Sequence, residues 1–306
     1  RLTAVTSDGQ RVQYLLDKVG NREEETSAGQ TTTHHYDNRD RLKDTVAPGG
    51  AVVETLVYDN AGRQTTRTAG GVTTTYRYNA NDRLLGVSVG ASEQVRYEYD
   101  AFGQRTGREA AGQFEGYQWD GTRLAGRTNA TGSTLGDYQH AYGWPLTSRE
   151  GTERSFIHAD THGTPQLVTT ATGAIAGWTR TDVWGVEQAQ SGTQSVIGYT
   201  GYLKDPLLDE LYAQARQYRP GSGRFTSVDP WEGDVNSPLS LNKYIYGLGN
   251  PGSYFDPDGW AAAPPCALEG NCDTVDPAIR SIADDAAMMS PLRNPDTQPK
   301  PTPGDQ

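Results

Sequence analysis

The chain has 306 residues, a formal net charge of −11 and 34% hydrophobic residues, with a pI near 4.9 and a mean hydropathy of −0.71. That charge excludes nucleic acid as the principal partner, because phosphate binding needs clustered Lys and Arg. No stretch approaches the ~18 apolar residues of a helical membrane span, and so dilute an apolar content will not build one dense aliphatic core over the whole length.

Tyrosine outnumbers phenylalanine 17 to 5, and there are 36 Gly and 17 Pro. Tyrosine lays its ring on a sheet while its hydroxyl seeks a polar partner, and regularly spaced glycines among β-prone segments mark frequent reversals. Arg1 starts in the middle of such a segment, which reads as a fragment boundary.

From Tyr36 onward one pattern recurs. Tyr36-Asp37-Asn38-Arg39-Asp40-Arg41-Leu42 is followed by Tyr58-Asp59-Asn60-Ala61-Gly62-Arg63, by Tyr78-Asn79-Ala80-Asn81-Asp82-Arg83-Leu84 and by Tyr99-Asp100-Ala101-Phe102-Gly103-Gln104-Arg105; Trp119-Asp120-Gly121-Thr122-Arg123-Leu124 is a degenerate fifth copy. The leading aromatics are 22, 20, 21 and 20 residues apart, a period that chance does not produce. Between them run alternating β-branched and aromatic segments such as Thr73–Tyr78 and Gln94–Tyr99. The Asp or Asn supplies an Asx turn, and a residue suited to positive φ follows it. Each repeat therefore reads as one β-hairpin that cannot bury its own face, so neighbours must stack into a long curling sheet.

These repeats resemble the YD repeats of RHS proteins, teneurins and the C components of insecticidal toxin complexes, over roughly the first 200 residues. The resemblance implies an all-β fold: a spirally wound β-hairpin shell over residues 1–197, here only partial, with a core plug and a mostly unstructured tail. Phe156–Pro165 is similar to a strand-turn of the same family. It contains His158, Asp160 and His162, whose side chains on a strand would share one face as metal ligands do. The family pattern explains the segment without a metal, and the structural reading is preferred.

Gly198–Tyr202 and Ala215–Phe225 open a segment, residues 198–260, that is similar to the RHS-associated core domain. Its marks are two Asp-Pro boxes, Asp229-Pro230-Trp231-Glu232-Gly233 and Asp256-Pro257-Asp258-Gly259, flanking Leu241-Asn242-Lys243-Tyr244-Ile245-Tyr246. In that family the boxes support cleavage of the chain's own backbone just after the second. By resemblance Asp229 and Asp256 form the acid–base pair, with Asp258 as a substitute for the second. Arg224 stabilises charge nearby, and Trp260–Ala261 is the scissile bond. The chemistry stands on its own terms: two carboxylates held close do not both ionise, one activates water, the other polarises the carbonyl, and an intramolecular substrate supplies a large effective molarity. No cofactor is needed. Both boxes also read as plain tight turns, with Pro at the second position and Gly closing. The sequence departs from the family form in three places: Glu232 is an extra residue, the spacing between the boxes is longer, and Val228 precedes Asp229.

Residues 261–306 break every pattern and read as a truncated or degenerate cargo. A short helix is expected to open at Asp276-Pro277. Cys266 and Cys272 read equally well as a small disulfide loop or as two thiols. The resemblance implies a shell exported from a bacterium, secreted or at the cell surface, with its own C-terminal cargo as first partner. An N-terminal shell or secretion adaptor and an immunity protein against the cargo complete the expected partners. Two other functions fit parts of the sequence: a non-cleaving teneurin-like scaffold for adhesion, and a secreted enzyme built on the His158/Asp160/His162 cluster.

Overall fold

The computed structural model describes residues 1–263 apart from Asp8, Tyr142, Asn236 and Ala261. Among the described residues the regular structure is strand and short 3-10 turn, with no α-helix. The expected helix at Asp276 and both cysteines lie outside the described residues.

Nineteen antiparallel strands, from Ala4–Ser7 to Glu187–Gly192, follow one another in chain order as a single meander. The first and last strands share no ladder among the described residues, so the sheet is open. Its ends nevertheless meet at one rim. The Tyr14 ring packs edge-on against Trp184 at 5.9 Å, and the Arg22 guanidinium lies 5.2 Å from the Trp184 ring centre. The sheet thus curls through about one full turn.

Seven turns at that rim, at Asp17, Asp37, Asp59, Asn79, Asp100, Asp160 and Asp182, follow one plan. In the copy at Asp59, the Gly62 amide donates to the Asp59 carbonyl at 3.1 Å and the Asp59 amide to the Arg63 carbonyl at 3.0 Å. The Arg63 amide donates to Asp59 Oδ1 at 3.0 Å, and Arg63 Nε to Oδ2 at 2.7 Å. The fourth residue needs positive φ, which explains Gly62 (φ 80°) and the Asp at the same place in other copies, Asp40 and Asp82 (both 60°). Arg63 then reaches across to the next turn, donating to the Asn79 carbonyl at 2.9 Å, as Arg41 does to the Asp59 carbonyl at 3.3 Å.

The leading aromatic has its own link to the preceding hairpin. Tyr36 donates to the Arg22 carbonyl at 2.9 Å, Tyr99 to the Leu84 carbonyl at 2.8 Å, and Trp119 Nε1 to the Arg105 carbonyl at 2.6 Å. The aromatic-Asp pair therefore divides its work: the Asp closes its own turn, and the ring fastens that turn to its neighbour. The same plan appears at Asp17, Asp160 and Asp182, copies that the Tyr-led period does not pick out.

A second sheet of four short strands, Leu203–Lys204, Leu211–Ala213, Arg216–Arg219 and Arg224–Phe225, begins a plug that sits inside this rim. Its core is aromatic: Tyr199, Tyr202, Tyr218, Phe225, Tyr246 and Phe255 are all buried, with Tyr218 and Tyr246 centred 4.4 Å apart. Rim turns touch the plug around its circumference. Tyr244 donates to the Gly62 carbonyl, Thr200 N to Thr164 Oγ1 and Tyr218 to the Trp184 carbonyl. The tyrosine excess thus serves both the rim and the plug: rings pack on one another, and hydroxyls such as those of Tyr36, Tyr99, Tyr218 and Tyr244 donate to backbone carbonyls.

Candidate functional site

The two Asp-Pro boxes come together through one side chain. Arg216, on the third plug strand with 1% of its side chain exposed, places Nη1 2.9 Å from Asp229 Oδ2 and Nη2 3.0 Å from Asp256 Oδ2. Its Nε donates to the Gly259 carbonyl at 2.5 Å, and its guanidinium carbon lies 3.5 Å from the centre of the Phe225 ring. A planar fork with fixed donors suits a site that must hold two carboxylates at once.

Asp256 is fully buried, and its Oδ1 accepts the amides of Gly259 at 2.8 Å and Trp260 at 3.0 Å. The Trp260 amide also lies 3.2 Å from Asp258 Oδ1. The second box therefore folds its carboxylates back onto the backbone one residue ahead of the Trp260–Ala261 bond, of which Ala261 lies outside the described residues. Beyond it, Ala263 and Phe255 exchange two backbone hydrogen bonds, at 2.7 and 3.0 Å, closing residues 255–263 into a loop.

Asp229 Oδ1 accepts the Trp231 amide at 2.8 Å, and the Asp229 amide donates to the Lys243 carbonyl at 2.9 Å. The extra residue of the first box, Glu232, projects into solvent with its side chain 98% exposed. It is accommodated outward, and the carboxylate of Asp229 keeps its place on Arg216.

Two carboxylates, those of Asp229 and Asp256, thus share one buried arginine, and the buried Asp258 is close enough for its charge to act on both. Burial pushes Asp256 up to about 7; Arg216 opposes the shift, and the charges of Asp258 and Asp229 add to it. Burial also raises Asp229, against Arg216, the Trp231 amide and Lys243. A shortage of positive charge in a water-poor site keeps a proton on the cluster near neutral pH.

Arg224, expected beside the carboxylates, lies elsewhere. It donates to Asn21 Oδ1 at 2.7 Å and to the Asp40 carbonyl at 2.5 Å, with its guanidinium 4.8 Å from the Tyr36 ring centre. It pins the plug to the first two rim turns, and Arg216 occupies the position that the sequence reading gave to Arg224. His158, Asp160 and His162 do not converge. His158 Nε2 meets Thr169 Oγ1, Asp160 Oδ1 caps its turn through the amides of His162 and Thr164, and the His162 ring stands edge-on to Phe255.

No family model matches the chain. Over 170 residues, 53% of the chain, it is 29% identical to the tRNA nuclease WapA of Bacillus subtilis and 30% identical to the tRNA3(Ser)-specific nuclease WapA of Bacillus spizizenii. Over 180 residues it is 27% identical to Teneurin-3 of Mus musculus. The rim turns with their repeated Asx plan, together with these relatives, decide the family. The chain is a YD/RHS-repeat protein. It spans about 7% of the length of the WapA proteins and 6% of that of mouse Teneurin-3. A chain of the TcdB2-TccC3-Cdc42 crystal structure overlays 82% of this YD-repeat chain, using 17% of its own length, at 17% identity and a TM-score of 0.49.

Proposed function

We propose that this YD-repeat chain is part of the encapsulating shell of an exported bacterial toxin, and that its plug cuts its own backbone between Trp260 and Ala261 to free a C-terminal cargo. The observation that carries the reading is the shared guanidinium of Arg216, which brings Asp229 and Asp256 to one point beside the loop containing that bond. Asp256, the more deeply buried of the two, keeps the proton and Asp229 is the base. Asp229 takes a proton from water as the water oxygen bonds to the Trp260 carbonyl carbon. Asp256 donates its proton toward the departing Ala261 nitrogen as the C–N bond breaks. Arg216 is a positioning residue that holds both carboxylates, and the loop closed by Phe255 and Ala263 supplies the effective molarity of an intramolecular substrate. Residues 198–260 act as the processing unit and 1–197 as the shell. Similarity to the tRNA nuclease WapA supports the toxin setting, and the partners that this reading calls for are the cargo, an N-terminal shell or adaptor component and an immunity protein.

The test is the intact mass of the full-length gene product and the N-terminal sequence of any released piece. A new N-terminus at Ala261 is expected from the wild type and from Asp160→Asn. An uncut chain is expected from Asp229→Asn and Asp256→Asn, because an amide keeps the turn's hydrogen bonds but neither shares a proton nor activates water. Release at Ala261 from Asp229→Asn would remove it from the chemistry and leave both boxes as turns. A second reading, a non-cleaving adhesion scaffold, draws on the similarity to Teneurin-3; an intact wild-type chain would favour it.

A further inference from the structure

The residues that hold the candidate site in place are themselves held by the shell. Arg216 directly follows the Gln214–Ala215 turn that joins the plug strands Leu211–Ala213 and Arg216–Arg219. One side of this turn faces the second Asp-Pro box. The Ala215 amide donates to the Asp258 carbonyl at 3.0 Å. Gly259, at φ 74°, approaches so closely that a Cβ there would lie 2.3 Å from the Ala213 carbonyl oxygen. The turn is therefore the floor on which the cleavage loop rests.

The other side of the turn faces three consecutive rim turns of the shell. Arg83 Nη1 donates to the Ala215 carbonyl at 2.6 Å and to the Gln214 carbonyl at 3.3 Å. The Gln214 amide group donates to the Thr122 carbonyl at 2.8 Å, and Gln104 reaches Gln214 Oε1 at 3.5 Å. Gln214 itself sits at φ 57°, the left-handed conformation that the first residue of this two-residue hairpin turn requires.

Arg83 departs from its counterparts in a telling way. Arg41 and Arg63 are held by the Asp of their own turn, and each gives Nη1 to the carbonyl of the next turn. In the third copy Asn79 replaces that Asp, and its Oδ1 is occupied by the amides of Asn81 and Arg83. Arg83 Nη1 goes to the plug. Its guanidinium is laid against Gly103, where a Cβ would stand 2.6 Å from Nε. A residue that elsewhere joins shell to shell here joins shell to plug, at the turn leading into Arg216.

We infer that self-cleavage is licensed by the shell: Arg83 and Gln214 are positioning residues that set the Gln214–Ala215 turn, and through it Arg216 and the cleavage loop, only when the YD sheet has wound around the plug. The chain is then cut after, and not before, its shell has formed. The inference rests on the self-cleavage reading above. Displacement of a catalytic group by about an ångström costs on the order of a hundred-fold in rate, so a loosened turn has a large effect without any reacting atom being changed.

The experiment compares single-turnover cleavage in the full-length protein with Arg83→Ala, Arg83→Lys, Gln214→Gly, Arg63→Ala and Asp229→Asn. Glycine is chosen at 214 because it tolerates the positive φ and removes only the side-chain tether. Arg83→Ala and Gln214→Gly are expected to slow cleavage by about ten- to a hundred-fold. Their pH–rate profiles should also move to higher pH, since a looser Arg216 no longer opposes protonation of Asp256. Arg83→Lys, whose ammonium still donates to the Ala215 carbonyl, should restore most of the rate. Arg63→Ala breaks the equivalent shell-to-shell link and should cut at the wild-type rate. If Arg83→Ala and Gln214→Gly cut at the wild-type rate with an unmoved profile while Asp229→Asn stays uncut, shell licensing is overturned and the self-cleavage reading stands. If the wild type stays intact, or Asp229→Asn is cut as fast as wild type, the self-cleavage reading fails and takes this inference with it.

Discussion

Asp205 accepts both ends of the Arg108 guanidinium, at 2.9 and 3.1 Å, and joins the start of the plug to the shell strand Arg105–Ala110. The Tyr97 hydroxyl donates to the same carboxylate at 2.5 Å. Both charged groups are buried, so neither can fall back on water if the other is lost. Burial alone would raise Asp205, but the hydrogen bonds and charge of Arg108, with the Tyr97 hydroxyl, hold it below the ordinary carboxylate range.

Asp205→Ala is accordingly expected to destabilise the protein by about 3–5 kcal/mol, the cost of stranding a buried charge. Because the folded-state pKa is depressed, the stabilisation is present above the unfolded value near 3.8 and is lost as pH falls below it. Denaturant midpoints at pH 7 and pH 3 should show a large gap between wild type and variant at the first and a narrowed gap at the second. An equal gap at both would mean that the ion pair is not what Asp205 contributes.

Glycines with similar backbone angles should respond differently according to what lies beside them. A Cβ at Gly62 (φ 80°) would lie 2.4 Å from Val228 Cγ2 and 2.6 Å from the Tyr244 hydroxyl, whereas Gly29 (φ 76°) has nothing within 4 Å. Both substitutions to Ala incur the left-handed strain of about 1–2 kcal/mol. Gly62→Ala adds overpacking at the plug of about 1–3 kcal/mol. Thermal midpoints of the two variants test this, and equal losses would show that the rim does not press on the plug at Gly62.

The shell was legible because its information is local and repeated. A Tyr-Asp pair, a residue at positive φ and an Arg lie within six positions, and each makes its bonds to its own turn or a neighbouring one. Copies that lost the leading aromatic, at Asp17 and Asp182, kept the turn chemistry but dropped out of the period. The site was legible only in part. Asp229 and Asp256 announce themselves through Pro and Gly, but Arg216 lies 40 residues from Asp256 in a segment with no turn signature. Nothing within a few residues distinguishes Arg216 from Arg219 or Arg224. Arg219 pairs with the buried Glu210 and the shell's Gln64, Arg224 pins the first rim turns, and only Arg216 meets the carboxylates. Which arginine faces which acid is set by strand pairing in the plug, a long-range property. The one local hint was Asn79, where a YD-repeat turn gives up the Asp that would hold its own arginine.

The last prediction concerns pH and rests on Asp256. Its carboxyl is raised from 3.8 to about 7, chiefly by burial, with Asp258 and Asp229 adding to the effect and Arg216 working against it. A group that binds its proton more tightly in the folded than in the unfolded chain makes a contribution to stability that is fully present below about pH 4 and is lost as pH rises through 7. Wild type should therefore be less stable at pH 8 than at pH 5. Asp256→Asn, which cannot ionise, should flatten that slope and be relatively more stable at the higher pH. Denaturant unfolding at the two values would show it. The same proton governs the proposed cleavage. If Asp256 is the group that delivers it, the single-turnover rate should fall on the alkaline side with a midpoint near 7, while Glu232→Gln, altering an exposed side chain of the first box, leaves that midpoint in place. A rate that stays level from pH 6 to pH 9 would take the acid's role away from Asp256, since at the upper end the cluster has lost the proton that the arrangement around Arg216 retains near neutrality.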